Sequence, residues 1–198
     1  MRPGIGNVLG SWLAGVALLM TALATPAAEQ PDQPIQGVYS LKLGQSRAQA
    51  ETTLAGDDRF RRIAARHFRG FPLYETTLGD REMRVRPTFE DGTLVEIELR
   101  FRRHASANDV AEVIRDQVRF AVGALSGRFG EPDRVAVAVA EIDPGVFSDG
   151  EREVSHQWRR GERLAEVALW RERFDYGAAI VLAEQHTRDA GSSASEAF

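Results

Sequence analysis

The sequence has no cysteine among its 198 residues. It can therefore form neither a disulfide nor a thiolate zinc site, and it lacks the cysteine that bacterial lipoproteins carry beside their cleavage site. Lysine is scarce as well, since Lys42 is the one lysine among 25 basic residues. Long apolar runs are absent after residue 28, so no later segment is predicted to span a membrane.

The first residues have the pattern of a secretory signal peptide. Arg2 precedes an apolar run from Val8 to Ala24, and small residues at the end of that run supply a cleavage site. We therefore predict a signal peptide over residues 1–24, with cleavage as late as residue 28; an uncleaved membrane anchor is the alternative. Residues 25–36 follow as a polar linker. The predicted location is periplasmic or secreted, and the protein is not predicted to be a lipoprotein.

The remaining composition limits the classes of function. The chain carries 29 acidic residues and a net charge of −4, which together with the export signal disfavours nucleic acid as a partner. It has no P-loop and no dinucleotide-binding fingerprint, and no cofactor is predicted. The length is enough for one domain with a sizeable core or for two small similar halves.

The clearest structural signal is the alternation of apolar and charged residues between Asp80 and Arg103. Apolar residues occupy odd positions in both arms, which predicts the two half-buried strands of a β-hairpin. A three-residue loop, Glu90-Asp91-Gly92, would pair Phe89 with Thr93. That register places four charged residues opposite residues of the other sign: Glu96 opposite Arg86, Glu98 opposite Arg84, Arg100 opposite Glu82 and Arg102 opposite Asp80.

Two helices are predicted. Ser46 and Gln49 form a capping box for a short helix that ends near Gly56. Apolar residues recur at helical spacing from about Ala107 to Arg128, after a start signal at Ser106 and Asp109.

The helices and strands divide the chain into two parts. Residues 37–104 are predicted to form a first helix-plus-meander half, residues 105–185 a second, and residues 186–198 a disordered tail. The predicted fold class is α+β: an antiparallel β-sheet with helices on one face, in one arrangement as two similar α-βββ halves in tandem.

The second half contains another predicted hairpin, with its turn at Gly161-Glu162. Its register places three pairs on one face: Trp158 with Ala165, His156 with Val167, and Val154 with Leu169. Trp170 then lies on the opposite face, near Leu164. If helices cover one face alone, Trp170 is exposed and is a candidate binding anchor; if another element covers its face, it is a core residue.

Five arginines crowd one short segment whose periodicity fits either a helix or a strand. They are interleaved with Phe60 and Phe68, and they are Arg59, Arg61, Arg62, Arg66 and Arg69. Because guanidinium groups bind carboxylates and phosphates, these side chains are candidates to contact an acidic protein partner or the phosphates of lipid headgroups. The alternative is a solvated face with no binding role.

No residues mark a catalytic or metal site. The four histidines lie far apart, and His156 is predicted to be a hydrogen-bonded core residue. Ser155 and His156 are neighbours on a strand, and neighbouring strand residues point to opposite faces, so we do not predict a nucleophile and its base. The acidic loop from Asp143 to Glu153 lacks EF-hand spacing, which leaves a solvated loop or loose calcium binding.

Two short motifs resemble those of known envelope proteins. Leu43-Gly44-Gln45-Ser46 opens a short helix ahead of a strand meander, which resembles the modules of SmpA/OmlA-like proteins and of the β-lactamase-inhibitor-protein family, where two such modules sit in tandem. Arg128-Phe129-Gly130-Glu131-Pro132 is similar to the break after the helix there. The chain lacks the cysteines of both families. The resemblance implies a non-enzymatic module that binds other proteins, and it assigns no functional residue.

The predicted function is therefore an exported, non-catalytic protein-binding or scaffold module of the bacterial cell envelope, with an envelope protein as its partner. A secreted or periplasmic enzyme inhibitor is one alternative. A hydrolase with carboxylates that the sequence leaves unmarked is another. A binding module predicts an exposed Trp170, whereas a hydrolase predicts a deep pocket with two or more carboxylates of perturbed pKa.

Overall fold

The computed structural model describes residues 33–103, 109–143, 150, 152–173 and 175–185. The predicted signal peptide, most of the predicted linker and the predicted tail lie outside these residues. So do Ser106 and most of the predicted acidic loop.

Within the described residues, ten strands form two antiparallel sheets. Strands β1 (Gly37–Val38) and β2 (Leu41–Lys42) pair as a small ribbon. The large sheet contains β3 (Phe60–Phe68), β4 (Phe71–Leu78), β5 (Arg81–Glu90), β6 (Thr93–Phe101), β7 (Arg134–Val135), β8 (Arg152–Arg160), β9 (Arg163–Glu172) and β10 (Asp175–Glu184). Its strand order is β3-β4-β5-β6-β10-β9-β8-β7, so two meanders join along β6 and β10.

Two helices precede the two meanders in the chain. Helix α1 (Arg47–Gly56) has the predicted capping box: the Gln49 amide donates to Ser46 Oγ at 3.3 Å, and the Ser46 amide donates to Gln49 Oε1 at 2.8 Å. Helix α2 (Val110–Phe129) ends where Gly130 adopts a φ of 76°, and it packs against β9 and β10. The predicted α+β class, with an antiparallel sheet and helices on one face, is confirmed.

One apolar core lies between the helices and the large sheet. Both helices contribute, α1 through Ala50 and Leu54 and α2 through residues such as Ile114 and Val118. The sheet contributes every second residue of its central strands; in β6 these include Ile97, Leu99 and Phe101. The residues between them therefore point to the other face of the sheet, which we call the charged face.

The first hairpin has the predicted strands but a tighter turn. Asp91 and Gly92 form a two-residue turn with φ of 48° and 78°, and Glu90 pairs with Thr93. Val95 is an extra residue in β6, a β-bulge that restores the alternation of faces beyond the turn. The predicted three-residue loop is wrong because the hydrophobic pattern does not reveal that bulge.

The tighter turn and the bulge each shift the predicted charge pairs by one position, two in total. Glu98 lies opposite Arg86 instead of Arg84, and Arg84 lies opposite Arg100, a residue of the same sign. Arg102 donates to Glu82 at 2.8 Å and not to Asp80. Because proline has no amide hydrogen to donate, Pro87 suits an edge strand or a position near a bulge. The bulge is what occurs, since β5 lies between β4 and β6.

The second hairpin is closer to its prediction. Trp158 pairs with Ala165 and His156 with Val167, as expected. Ser155 is an extra residue in β8, so Val154 lies opposite Ala168 and not opposite Leu169.

Candidate functional site

The predicted anchor Trp170 lies on the charged face but is not exposed. Its residue exposure is 2%, as is that of Leu164, and its indole nitrogen donates to the Ala178 carbonyl at 3.3 Å. Small residues flank it, and the guanidinium of Arg100 lies 4.4 Å from the centre of its ring. Trp170 is therefore not exposed enough to be a binding anchor. It is buried even though no helix of the described residues packs on this face.

Ion pairs join distant strands across the charged face. Arg152 on β8 donates two hydrogen bonds to Glu96 on β6, at 3.1 and 2.9 Å. In the strand order, β8 and β6 are three strand spacings apart, which is roughly 14 Å in a flat sheet. The twist and curl of the sheet must therefore bring β8 and β6 towards each other on this face.

A second set of contacts crosses the face from β9. Glu172 accepts hydrogen bonds from Arg100 and, at 3.3 Å, from Arg86. Arg100 also donates through Nε to Glu98 at 2.6 Å. Two arginines therefore share two carboxylates at the joint between β5, β6 and β9.

These contacts shift the pKa of their members. Burial alone would raise the pKa of the Glu172 carboxyl, but the hydrogen bond and charge of Arg100 and the charge of Arg86 lower it. Burial lowers the pKa of Arg86, and the charge of Arg100 lowers it further. For Arg152, the bonds to Glu96 and the nearby carboxylates raise the pKa against the effect of burial. The Glu172 carboxyl is thus held ionised by arginines, and a general acid would need the reverse.

The predicted arginine segment forms β3, the outer strand of the large sheet, and not a helix. Arg59 donates two side-chain hydrogen bonds to Asp57, which with a bond from Ser40 hold the pKa of that carboxyl well below its usual range. Arg61 pairs with Glu75. Arg62 and Arg66 are exposed, and the structure records no ion pair between them and a described residue.

Arg69 occupies the turn between β3 and β4. Its φ is 50°, followed by Gly70 at 73°, and its guanidinium lies 5.4 Å from the centre of the Phe68 ring. In the strand order, five spacings separate β3 from β9, which carries Leu164 and Trp170. Side-chain contacts nevertheless connect the two strands: the Arg86 guanidinium lies 4.9 Å from the centre of the Phe68 ring and donates to Glu172 on β9 at 3.3 Å.

Ser155 and His156 are in contact, contrary to the prediction from strand alternation. Because Ser155 is the bulged residue, its Oγ lies 3.1 Å from His156 Nδ1. The hydroxyl donates to the Val167 carbonyl at 3.1 Å, so its proton is not directed at the imidazole. Ser155 is 0% exposed and His156 6%. The pair is therefore a buried structural contact and not a nucleophile with its base.

Within the described residues, no group of three or more histidine, aspartate and glutamate side chains is placed to hold a metal ion. No helix in that part of the chain is long and apolar enough to cross a membrane.

No family model, curated protein or solved structure that was compared with the chain matches it. The resemblance to envelope modules therefore stays a prediction.

The residues that sequence reasoning missed are those of the charged face. The sequence does signal this face, through the charged residues at even positions of β5 and β6. It does not show which of them meet, because the bulge at Val95 changes the partners and the curl of the sheet brings in Arg152 and Glu172 from the second half.

Proposed function

We propose that this protein is an exported, non-catalytic module of a bacterial cell envelope that binds an acidic protein through the outer edge of β3. The observation that carries the proposal is the basic character of this edge. Residues 59–74 contain no acidic residue, and they include five arginines and His67. Of these, Arg62 and Arg66 extend into solvent. We call Arg62, Arg66 and Arg69 the basic edge.

The geometry of β3 favours binding by side chains over the addition of a partner strand. Regular pairing with β4 is interrupted between Arg62 and His67, where four residues of β3 lie opposite one residue of β4. Such a bulge distorts the edge and, together with charged side chains, protects an outer strand against pairing with other chains. The arginines remain available to carboxylates, which they bind with two parallel hydrogen bonds.

An acidic protein fits the basic edge better than a membrane does. Stable membrane association needs apolar side chains that enter the bilayer in addition to basic ones. Phe60 is buried. Phe68 is half-buried, and arginine guanidinium groups lie over the Phe68 ring. Among the described residues, Val135 is the one large apolar residue that is well exposed, and it lies at the opposite edge of the sheet.

The state of the carboxylates supports a non-catalytic role. Glu96, Glu98 and Glu172 each accept a hydrogen bond from an arginine. A hydrolase of the paired-carboxylate type needs one acid whose pKa is raised, so that it is protonated near neutral pH. The carboxylates whose shifts are described have pKa values lowered by arginines instead.

The test is in-cell crosslinking of the tagged protein, followed by purification and identification of what is attached. The variant carries Arg62→Glu and Arg66→Glu. The matched control carries Arg119→Glu and Arg134→Glu, two exposed arginines away from β3, so that both proteins have the same net charge. We expect a partner with an acidic surface that is lost in the β3 variant and kept in the control.

Circular dichroism and thermal melts establish that all three proteins are folded. Binding of the purified partner should weaken steeply with added salt, since exposed charges are screened within about 8–10 Å at physiological ionic strength. A partner retained by the β3 variant would contradict the assigned surface. The absence of any partner from a folded, exported protein would contradict the binding function.

A further inference from the structure

Arg84 differs from the other arginines with a buried side-chain nitrogen in its lack of partners among the described residues. Five arginines have a buried Nε without a hydrogen-bond partner among the described residues: Arg81, Arg84, Arg86, Arg115 and Arg160. Four of them place a terminal nitrogen near an oxygen, as Arg81 does with Asp116 at 3.0 Å and Arg115 with the Ile142 carbonyl at 3.2 Å. For Arg84 the structure records no hydrogen bond or ion pair with a described residue.

The residues around Arg84 add positive charge next to it. Directly opposite it on β6 lies Arg100, and Arg86 follows two positions along the same face of β5. Glu75 lies opposite on β4, but its carboxylate pairs with Arg61 and lies 3.6 Å from Arg102. Like charges placed directly opposite each other on a sheet are destabilising.

The acids of this part of the charged face do not balance the three guanidinium groups. Glu98 accepts from Arg100, and Glu172 accepts from Arg100 and Arg86. Arg86 and Arg100 therefore share two carboxylates, and no carboxylate of the described residues is left to pair with Arg84. Arg84 is only half-buried, and the Glu172 side chain is 50% exposed, so solvent reaches the cluster.

We propose that Arg84, Arg86 and Arg100 form a binding site for a phosphoryl dianion. A phosphate monoester or inorganic phosphate carries nearly two negative charges and at least three acceptor oxygens, enough to contact three guanidinium groups at once. A carboxylate has two oxygens and one charge, and Glu172 already supplies such a group. This site lies on the charged face and does not depend on the proposed contact at the basic edge.

The first experiment measures phosphate binding by the intact protein. Titration calorimetry and thermal melts with inorganic phosphate at constant ionic strength, balanced with sodium chloride, compare the wild type, Arg84→Gln and Arg119→Gln. We expect saturable binding at millimolar phosphate or below. Arg84→Gln should weaken it by about 10- to 100-fold, the range for hydrogen bonds between charged groups. Arg119→Gln, at an exposed arginine of α2 outside both proposed binding surfaces, should leave it unchanged.

A second variant tests the site by strengthening it. Glu172→Gln removes the carboxylate that competes for Arg86 and Arg100, so it should bind phosphate several-fold more tightly than the wild type. No saturable binding by either the wild type or Glu172→Gln would overturn the proposal. Equal weakening by Arg84→Gln and Arg119→Gln would overturn it too, because that result indicates attraction to arginine side chains in general.

Vesicle binding distinguishes a lipid headgroup from a soluble phosphate compound as the ligand of the site. Phosphatidylcholine vesicles with and without phosphatidic acid are sedimented with the wild type and with Arg84→Gln. Binding to phosphatidic acid that requires Arg84 and is displaced by inorganic phosphate would assign a lipid headgroup. Phosphate binding without Arg84-dependent vesicle binding would assign a soluble phosphate compound. In both results the site at Arg84 stands.

Discussion

His156 is an ionisable residue that the fold holds in its uncharged form. It lies beside Trp158 with stacked rings, and its Nδ1 faces Ser155 Oγ. Since the serine hydroxyl donates to Val167, its oxygen accepts a hydrogen bond from Nδ1–H, which places the proton of the neutral imidazole on Nδ1. Burial lowers the pKa of His156 below its ordinary value of 6.5. The folded state therefore resists protonation at this position.

This resistance predicts a loss of stability in mildly acidic solution. Below about pH 6.5 the unfolded chain binds a proton at His156 that the folded chain does not bind, so the free energy of unfolding falls until the folded-state pKa is reached. Between about pH 7.5 and 5.5 this contribution amounts to at most about 1.4 kcal/mol. Urea denaturation at both pH values should show a smaller fall for His156→Gln than for the wild type. An equal fall would mean that other groups control this pH range.

At the scale of elements, the pairing of β9 with β10 depends on close packing between Trp170 and Gly177. The two residues are direct partners in the ladder, and a methyl group on Gly177 would lie 2.6 Å from the indole Cζ2. The absence of a side chain lets the ring lie over the strand, between the backbone and Arg100. The glycine is required here for space, because its φ is not in the left-handed region.

We therefore expect Gly177→Ala to destabilise the protein by about 1–3 kcal/mol, the range for overpacking. Gly123→Ala is the matched control: this residue lies in α2 with nothing within 4 Å of an added methyl group. The control should stabilise the protein by about 0.5–1 kcal/mol because alanine favours helix. Urea unfolding followed by tryptophan fluorescence measures both. If the two variants change stability in the same direction, the steric role of Gly177 is wrong.

Sequence periodicity predicted the elements better than their partners. The strands of both hairpins and the capping box at Ser46 follow from local residue patterns, which depend on neighbours in the chain. The registers failed at Val95 and Ser155, where one extra residue changes every partner beyond it while the apolar pattern still fits. That change creates the facing pair of Arg84 and Arg100, so the proposed phosphoryl site could not be read from the predicted hairpin.

At the scale of the whole molecule, the two meanders form one curled sheet. They join through the ladder of β6 and β10, and side-chain contacts cross that joint on the charged face. Trp170 was predicted correctly to lie on the face of the sheet away from Trp158. Its burial follows from the curl of the sheet and from Arg100, which belongs to the other meander. No local pattern specifies contacts between residues 70 positions apart. The arginines of β3 could be selected from sequence because their exposure follows from an edge position.

An ion pair on the charged face links the two meanders. Arg152 and Glu96 form a two-bond pair from β8 to β6, with side-chain exposures of 22% and 11%. Removing one member leaves a charge in a poorly solvated place, so Glu96→Gln should cost about 2–3 kcal/mol, somewhat less than a fully buried pair. Arg152→Gln should cost at least as much, because Arg152 also offsets the charges of Glu98 and Glu166.

A double-mutant cycle separates the interaction energy of Arg152 with Glu96 from the interactions of Arg152 with Glu98 and Glu166. The double variant should recover about 1.5–3 kcal/mol relative to the sum of the single variants. The control cycle uses Arg47 and Glu51, an exposed pair 4.0 Å apart on α1, where the coupling should stay below about 0.5 kcal/mol. If the pair holds the two meanders together, its loss should also lower the dependence of unfolding free energy on denaturant, because the halves then unfold less cooperatively. Equal coupling in both cycles would show that the link is a surface contact.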